Sequence, residues 1–120
     1  MGGSNQDQGK YGEDLAAEYL KKQGFKIIDR NFRIRGGEID IVALEQDVLV
    51  FIEVKTRSSA AFGSPLEAIT PWKLRALVKT AQFYKVKHRN LPDAMRIDAV
   101  SVKINYNTGI TEMELVRDIS

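Results

Sequence analysis

Cysteine is absent and histidine occurs once, as His88. Without cysteine, a disulfide scaffold, a thiolate metal site and a cysteine nucleophile are excluded. A single histidine excludes a multi-histidine metal centre within one chain and leaves a Ser-His-Asp triad only His88 to use. No apolar run approaches the roughly 20 residues that span a bilayer. Met1 to Gly9 is polar and lacks the apolar segment of a signal peptide. Residues 1–9 are therefore expected to be disordered, with Met-Gly-Gly-Ser in part the scar of an expression tag, and the chain is expected to be cytoplasmic.

What remains is ordinary globular composition. The chain has 120 residues, 43% hydrophobic and 28% charged. That length suits one domain with a core that needs no staples, and no repeat or linker interrupts it. A single domain over 1–120 is the simplest organisation. The net charge of +2 hides an asymmetry: Val54 to Arg96 holds nine Lys or Arg against two acids, Glu67 and Asp93. A basic middle fits a surface that meets phosphates. A solvated, basic helix face is the plainer alternative.

The apolar spacing predicts a helix over 10–23, with Gly24 as its stop. Phe25 to Arg33 reads as a strand, punctuated by Gly36-Gly37. Glu38 to Glu45 and Val48 to Lys55 both alternate, and only Gln46 and Asp47 separate them, which predicts a tight hairpin. Residues 56–64 read as a loop. Thr70-Pro71 reads as an N-cap and first turn of a helix reaching His88, with Leu74, Leu77, Val78, Ala81 and Tyr84 as its apolar stripe. Trp72 and Phe83 are expected in the core rather than as stacking platforms. Strands over 96–105 and 110–117 flank a turn at Asn107-Thr108-Gly109. The order α-β-β-β-α-β-β predicts an α/β fold: a mixed five-stranded sheet with flanking helices.

The hairpin arithmetic carries chemistry. A two-residue turn sets Glu45 opposite Val48, Asp40 opposite Glu53 and Glu38 opposite Lys55, the last four on alternating positions that share a face. Ile39, Ile41, Ala43, Val48, Val50, Ile52 and Val54 then form a wholly apolar opposite face. Two facing carboxylates repel, so one stays protonated or a cation sits between them. Hard cations such as Mg²⁺ favour carboxylate oxygens. Lys55 adds a positive charge beside the pair. Carboxylate, carboxylate and lysine suit phosphodiester hydrolysis, in which a metal activates water and lysine opposes the growing charge. The alternative is an exposed polar face with a Glu38–Lys55 ion pair.

At these residues the chain resembles a superfamily. Gly37-Glu38-Ile39-Asp40 and Glu53-Val54-Lys55 resemble the Asp…(Asp/Glu)-x-Lys core of restriction-endonuclease-like nucleases, PD-(D/E)xK. Gly12-Glu13, Ala16-Ala17, Tyr19-Leu20 and Gly24-Phe25 look like the first helix of archaeal Holliday-junction resolvases and their bacterial relatives. Asn31-Phe32-Arg33 and Arg96-Ile97-Asp98-Ala99-Val100 closely match the YraN-like family of small bacterial proteins, described as endonucleases of uncharacterised function. The match runs from about Gly9 to Val116.

The resemblance implies a restriction-endonuclease-like fold and residue roles. Asp40 and Glu53 are implied metal ligands for Mg²⁺ or Mn²⁺, with the main-chain carbonyl of Val54 as a third. Lys55 is the implied catalytic lysine. Glu13 matches the resolvases' first-helix glutamate, which reaches the metal directly or through water; a plain acid at a helix N-terminus is the alternative. Glu38 is a candidate for a supporting role behind the ligands. So is Gln82, since some members of the superfamily carry an active-site glutamine on the second long helix; an ordinary surface glutamine is the competing reading. Arg33, Arg35, Arg57 and Lys73 are candidate phosphate contacts. Asp98 is expected to pair with Arg96 structurally. His88 is not expected to be catalytic.

The leading expectation is a metal-dependent endonuclease acting on DNA, with branched or single-stranded DNA the first substrate by resemblance. A homodimer follows if the substrate is a four-way junction, which needs two symmetric cuts. The alternatives are a nucleic-acid-binding or assembly module that keeps the fold without turnover, and an RNA-processing nuclease.

Overall fold

A computed structural model describes residues 5–61 and 63–120. Its elements are α1 (Asn5–Lys22), β1 (Lys26–Ile34), β2 (Gly37–Glu45), β3 (Val48–Ser58), a 3-10 turn (Pro65–Ala68), α2 (Pro71–Lys87), β4 (Met95–Ile104) and β5 (Thr111–Val116). The five strands form one sheet in the order β1-β2-β3-β4-β5. Only β3 and β4 run parallel, and α2 makes the crossover between them, as a parallel pair requires. The α/β class and the mixed five-stranded sheet agree with the order expected from sequence.

Local chemistry accounts for the boundaries. α1 ends where Gly24 takes φ +98° and its amide bonds back to the Lys21 carbonyl at 3.1 Å, the left-handed stop that glycine tolerates best. The helix begins at Asn5, ahead of the start at Lys10 that the apolar spacing predicts; the expectation of disorder over 1–4 lies outside the described residues. Thr70 caps α2 as expected, its hydroxyl accepting the Lys73 amide at 3.2 Å. Asp47 and Gln46 make the two-residue turn, with Gln46 at φ +53°.

The helices cover opposite faces of the sheet. Ala16, Ala17 and Leu20 of α1 pack with Ile41, Ala43, Val50, Ile52, Val100 and Val102. Leu77, Ala81 and Tyr84 of α2 pack with Ile39, Val42, Leu49, Phe51 and Ile97. The apolar stripe expected on α2 is therefore the buried one. Trp72 and Phe83, expected in the core, are instead 70% and 42% exposed. They lie on the helix side away from that stripe, and helical period outweighs aromatic character here.

Two further departures bear on the site. β3 continues through Thr56-Arg57-Ser58, expected as loop, because β4 pairs with it out to Ser58↔Ile104. That pairing is non-local and leaves no apolar signature. Ile39 packs on the α2 face while Ile41 packs on the α1 face, so the single apolar face expected for β2 does not form. The β1–β2 ladder skips from Arg30↔Ile41 to Phe32↔Ile39, and the skipped residue, Asn31, has φ +56°. The register is kept across this unpaired position, the ladder's register shift lying earlier, between Ile27 and Asp29; β2 side chains change face at Asp40.

Candidate functional site

The β2–β3 ladder follows the expected register from Glu45↔Val48 to Ile41↔Ile52 and stops there. Beyond it the strand ends part. Asp40 Oδ2 accepts the main-chain amide of Val54 at 2.8 Å, taking the place of a further ladder bond. Asp40 and Glu53 still meet as sequence spacing predicts, but across this opened end. Both are buried, at 8% and 4% exposure. Burial pushes the Asp40 carboxyl well above the usual carboxylate range, and the neighbouring Glu53 carboxyl pushes it further. The Val54 amide opposes this only in part.

Glu53 Oε2 is buried and accepts no hydrogen bond. The Lys73 ammonium, on the first turn of α2, lies 3.4 Å from it. An oxygen so placed costs free energy unless a cation reaches it. By its charge Lys73 is a candidate phosphate contact; its ion pair with Glu53 comes from the crossover and has no local signal.

The parted ends open onto a cleft of about 420 Å³, lined by Glu13, Asp40, Glu53, Val54, Lys55 and Arg57 among others. α1 reaches this cleft because Gly12 packs on β3: a Cβ built there would fall 1.9 Å from Thr56 Oγ1. The close approach sets the next residue, Glu13, beside the carboxylate pair. Burial raises the Glu13 pKa; Arg30 opposes this, and the Glu38 charge adds to it. Arg30 stands 3.7 Å from Glu13 and bonds Asp14 at 2.7 Å. Arg30 was not singled out by sequence, although it pairs with Ile41 on the α1 face.

The cleft thus brings together Glu13, Asp40, Glu53, Val54, Lys55 and Arg57. Glu38 does not oppose Lys55; it faces Arg33 across the β1–β2 ladder and forms an ion pair with it. The expected Glu38–Lys55 pair fails because the β2–β3 ladder ends before it. Arg33 lines an adjoining hollow with Lys10, Glu13 and Arg30. Arg35 is exposed in the β1–β2 turn. Gln82 is not brought to the cleft: it is exposed on α2, in a groove with Leu74, Arg75 and Ser120. His88 stacks on Tyr84, ring centroids 4.0 Å apart. Asp98 is fully buried and accepts from Arg96 Nε at 2.8 Å and from the Asp118 amide at 2.9 Å, a structural pairing as expected.

The donor set suits a hard divalent cation. Asp40 and Glu53 offer carboxylate oxygens, and Glu53 Oε2 accepts no hydrogen bond, its one ion-pair partner being the Lys73 ammonium. Among the described residues, no group of three or more Asp, Glu or His side chains gathers at ligating reach. Two carboxylates would leave the rest of such an ion's shell to other oxygens, main-chain carbonyls or water. Among the described residues, no helix is long and apolar enough to cross a membrane.

The uncharacterised protein family UPF0102 matches residues 12–102 of the chain. A UPF0102 protein of Syntrophomonas wolfei is 48% identical over 83% of this chain and 87% of its own length. One from Caldicellulosiruptor saccharolyticus is 39% identical over 96% of this chain and 98% of its own. One from Geobacter metallireducens is 46% identical over 82% of this chain and 80% of its own. The matched span holds Glu13, Asp40, Glu53 and Lys55, and the chain belongs to the UPF0102 family, the YraN-like proteins.

Proposed function

We propose that the chain is a metal-dependent nuclease that hydrolyses DNA phosphodiester bonds. The observation that carries this reading is the buried Asp40–Glu53 pair at an open strand end, with Lys55 in the same cleft. Asp40, Glu53 and the Val54 carbonyl would hold Mg²⁺ or Mn²⁺. When bound, that ion supplies Lewis-acid stabilisation of phosphate charge and a more acidic water. Lys55 orients the attacking water and opposes charge growing on the phosphoryl oxygens as a bridging oxygen leaves. Glu13, with its pKa raised by burial, suits a proton-handling role at the cleft's α1 wall. Arg33, Arg35 and Arg57 hold flanking phosphates. Branched DNA and a homodimer are the favoured substrate and state by resemblance to the resolvases.

The test is cleavage of end-labelled single strand, duplex, flap, four-way junction and RNA, each with Mg²⁺, Mn²⁺ or EDTA. Metal-dependent cutting supports the reading, and the substrate order names the class. A second reading rests on Lys73: its ammonium at Glu53 supplies positive charge without a metal, as in a nucleic-acid-binding module without turnover. Binding without cutting under every metal condition favours that one.

A further inference from the structure

Trp72 is the only tryptophan and the most exposed of the large apolar side chains among the described residues, at 70%. It stands in the first turn of α2, held by the Thr70 cap. The next residue, Lys73, reaches Glu53 at 3.4 Å, so this turn borders the carboxylate pair. The Arg75 guanidinium lies 5.7 Å from the indole centroid. The turn carries no acid, and Lys73, Arg75 and Lys79 are all exposed.

An exposed indole with a guanidinium over its ring and further cations along the same helix is an arrangement that holds an unpaired base while its phosphates meet the charges. A base inside a duplex presents no free face to stack on. A second copy of the chain is a poor occupant. A symmetric contact centred on Trp72 would set Lys73, Arg75 and Lys79 of one copy near the same cations of the other. We propose that Trp72 is a stacking platform for an unpaired nucleobase of a strand whose backbone runs on into the Asp40–Glu53 cleft. This makes single-stranded segments, free or at a branch, the substrate class; it rests on the nucleic-acid part of the reading above.

The emission of Trp72 reports on this position alone, because no other tryptophan is present. The full chain is titrated in EDTA, so that no turnover occurs, with oligo-dT, an abasic strand of equal length and a duplex. Oligo-dT is expected to quench the emission saturably, and the abasic strand and duplex far less. By anisotropy of labelled oligo-dT, Trp72→Ala is expected to bind roughly ten- to a hundredfold more weakly, with most of the loss restored in Trp72→Phe. Equal quenching by oligo-dT and the abasic strand overturns the proposal, as does unchanged affinity in Trp72→Ala. So does the absence of strand binding at low salt. A concentration-dependent emission shift without DNA, accompanied by a dimer in sedimentation, assigns Trp72 to a second copy and also overturns it. Failure of metal-dependent cleavage with quenching intact overturns the nuclease reading and leaves this one standing.

Discussion

Asp40 takes the amide of Val54 on its carboxylate, Oδ2 to N at 2.8 Å, at the point where β2 and β3 stop pairing. The same contact fixes a buried acid beside Glu53 and frees the strand ends to form a cleft. Structure and chemistry are therefore coupled at one hydrogen bond.

The folded chain raises the Asp40 pKa, whereas in the unfolded chain it returns to about 3.9. Between those values the folded state holds a proton that the unfolded state has lost. Without metal, stability contributed by Asp40 is therefore full below about pH 4 and declines as pH rises toward the folded value. Asp40→Asn should stabilise the metal-free protein at pH 8 by on the order of 2 kcal/mol, and Mn²⁺ should raise the wild-type Tm more at pH 8 than at pH 5. Calorimetry in EDTA and in Mn²⁺ checks both; an unchanged Asp40→Asn Tm at pH 8 contradicts the burial argument.

Lys73 competes with any cation at Glu53 Oε2, from 3.4 Å away. Lys73→Ala should tighten Mn²⁺ binding several-fold, as read by Mn²⁺ spin resonance. If Lys73 also contacts a phosphate, the slope of log affinity for DNA against log salt should fall by about one. Weaker Mn²⁺ binding in Lys73→Ala would count against a metal at this position.

Gly12 lets α1 approach β3, since an added Cβ would sit 1.9 Å from Thr56 Oγ1. Gly12→Ala should cost about 1–3 kcal/mol by overpacking. Adding Thr56→Ala should recover part of that loss, and denaturant unfolding of the four-member cycle measures the coupling. Additive effects would mean that the two residues do not touch.

Asp98 is buried and binds Arg96 and the Asp118 amide, remote in role from the cleft. Asp98→Ala should destabilise by about 1–3 kcal/mol, because the Asp118 amide loses its acceptor and Arg96 keeps only Glu45. Where the variant is still folded, its metal affinity should match wild type. A selective loss of metal affinity at unchanged stability would move Asp98 into the site.

Much of this was readable from residue order. The turn at Gln46–Asp47 sets the β2–β3 register, and the register brings Asp40 to Glu53. The exposure of Trp72 and Phe83 was also present in the helical period, which puts them opposite Leu77 and Ala81, but aromatic character points the other way. The strand extension through Ser58 was not readable, because it pairs with β4 residues 46 positions on, Ser58 with Ile104. Nor was the face switch at Asp40, which sits opposite one left-handed residue, Asn31, in a different strand. Asparagine tolerates that conformation better than most residues, and this was the only local hint.

The central claim is that Asp40 and Lys55 act together in metal-dependent cleavage. Its most direct test is the single-turnover cutting rate of wild type, Asp40→Asn and Lys55→Ala on the best substrate in Mn²⁺, with DNA binding measured alongside. The account predicts metal-dependent cutting by wild type and at least about a hundredfold loss in each variant with strand binding retained. Cutting that persists in both variants, or that EDTA does not stop, would contradict it.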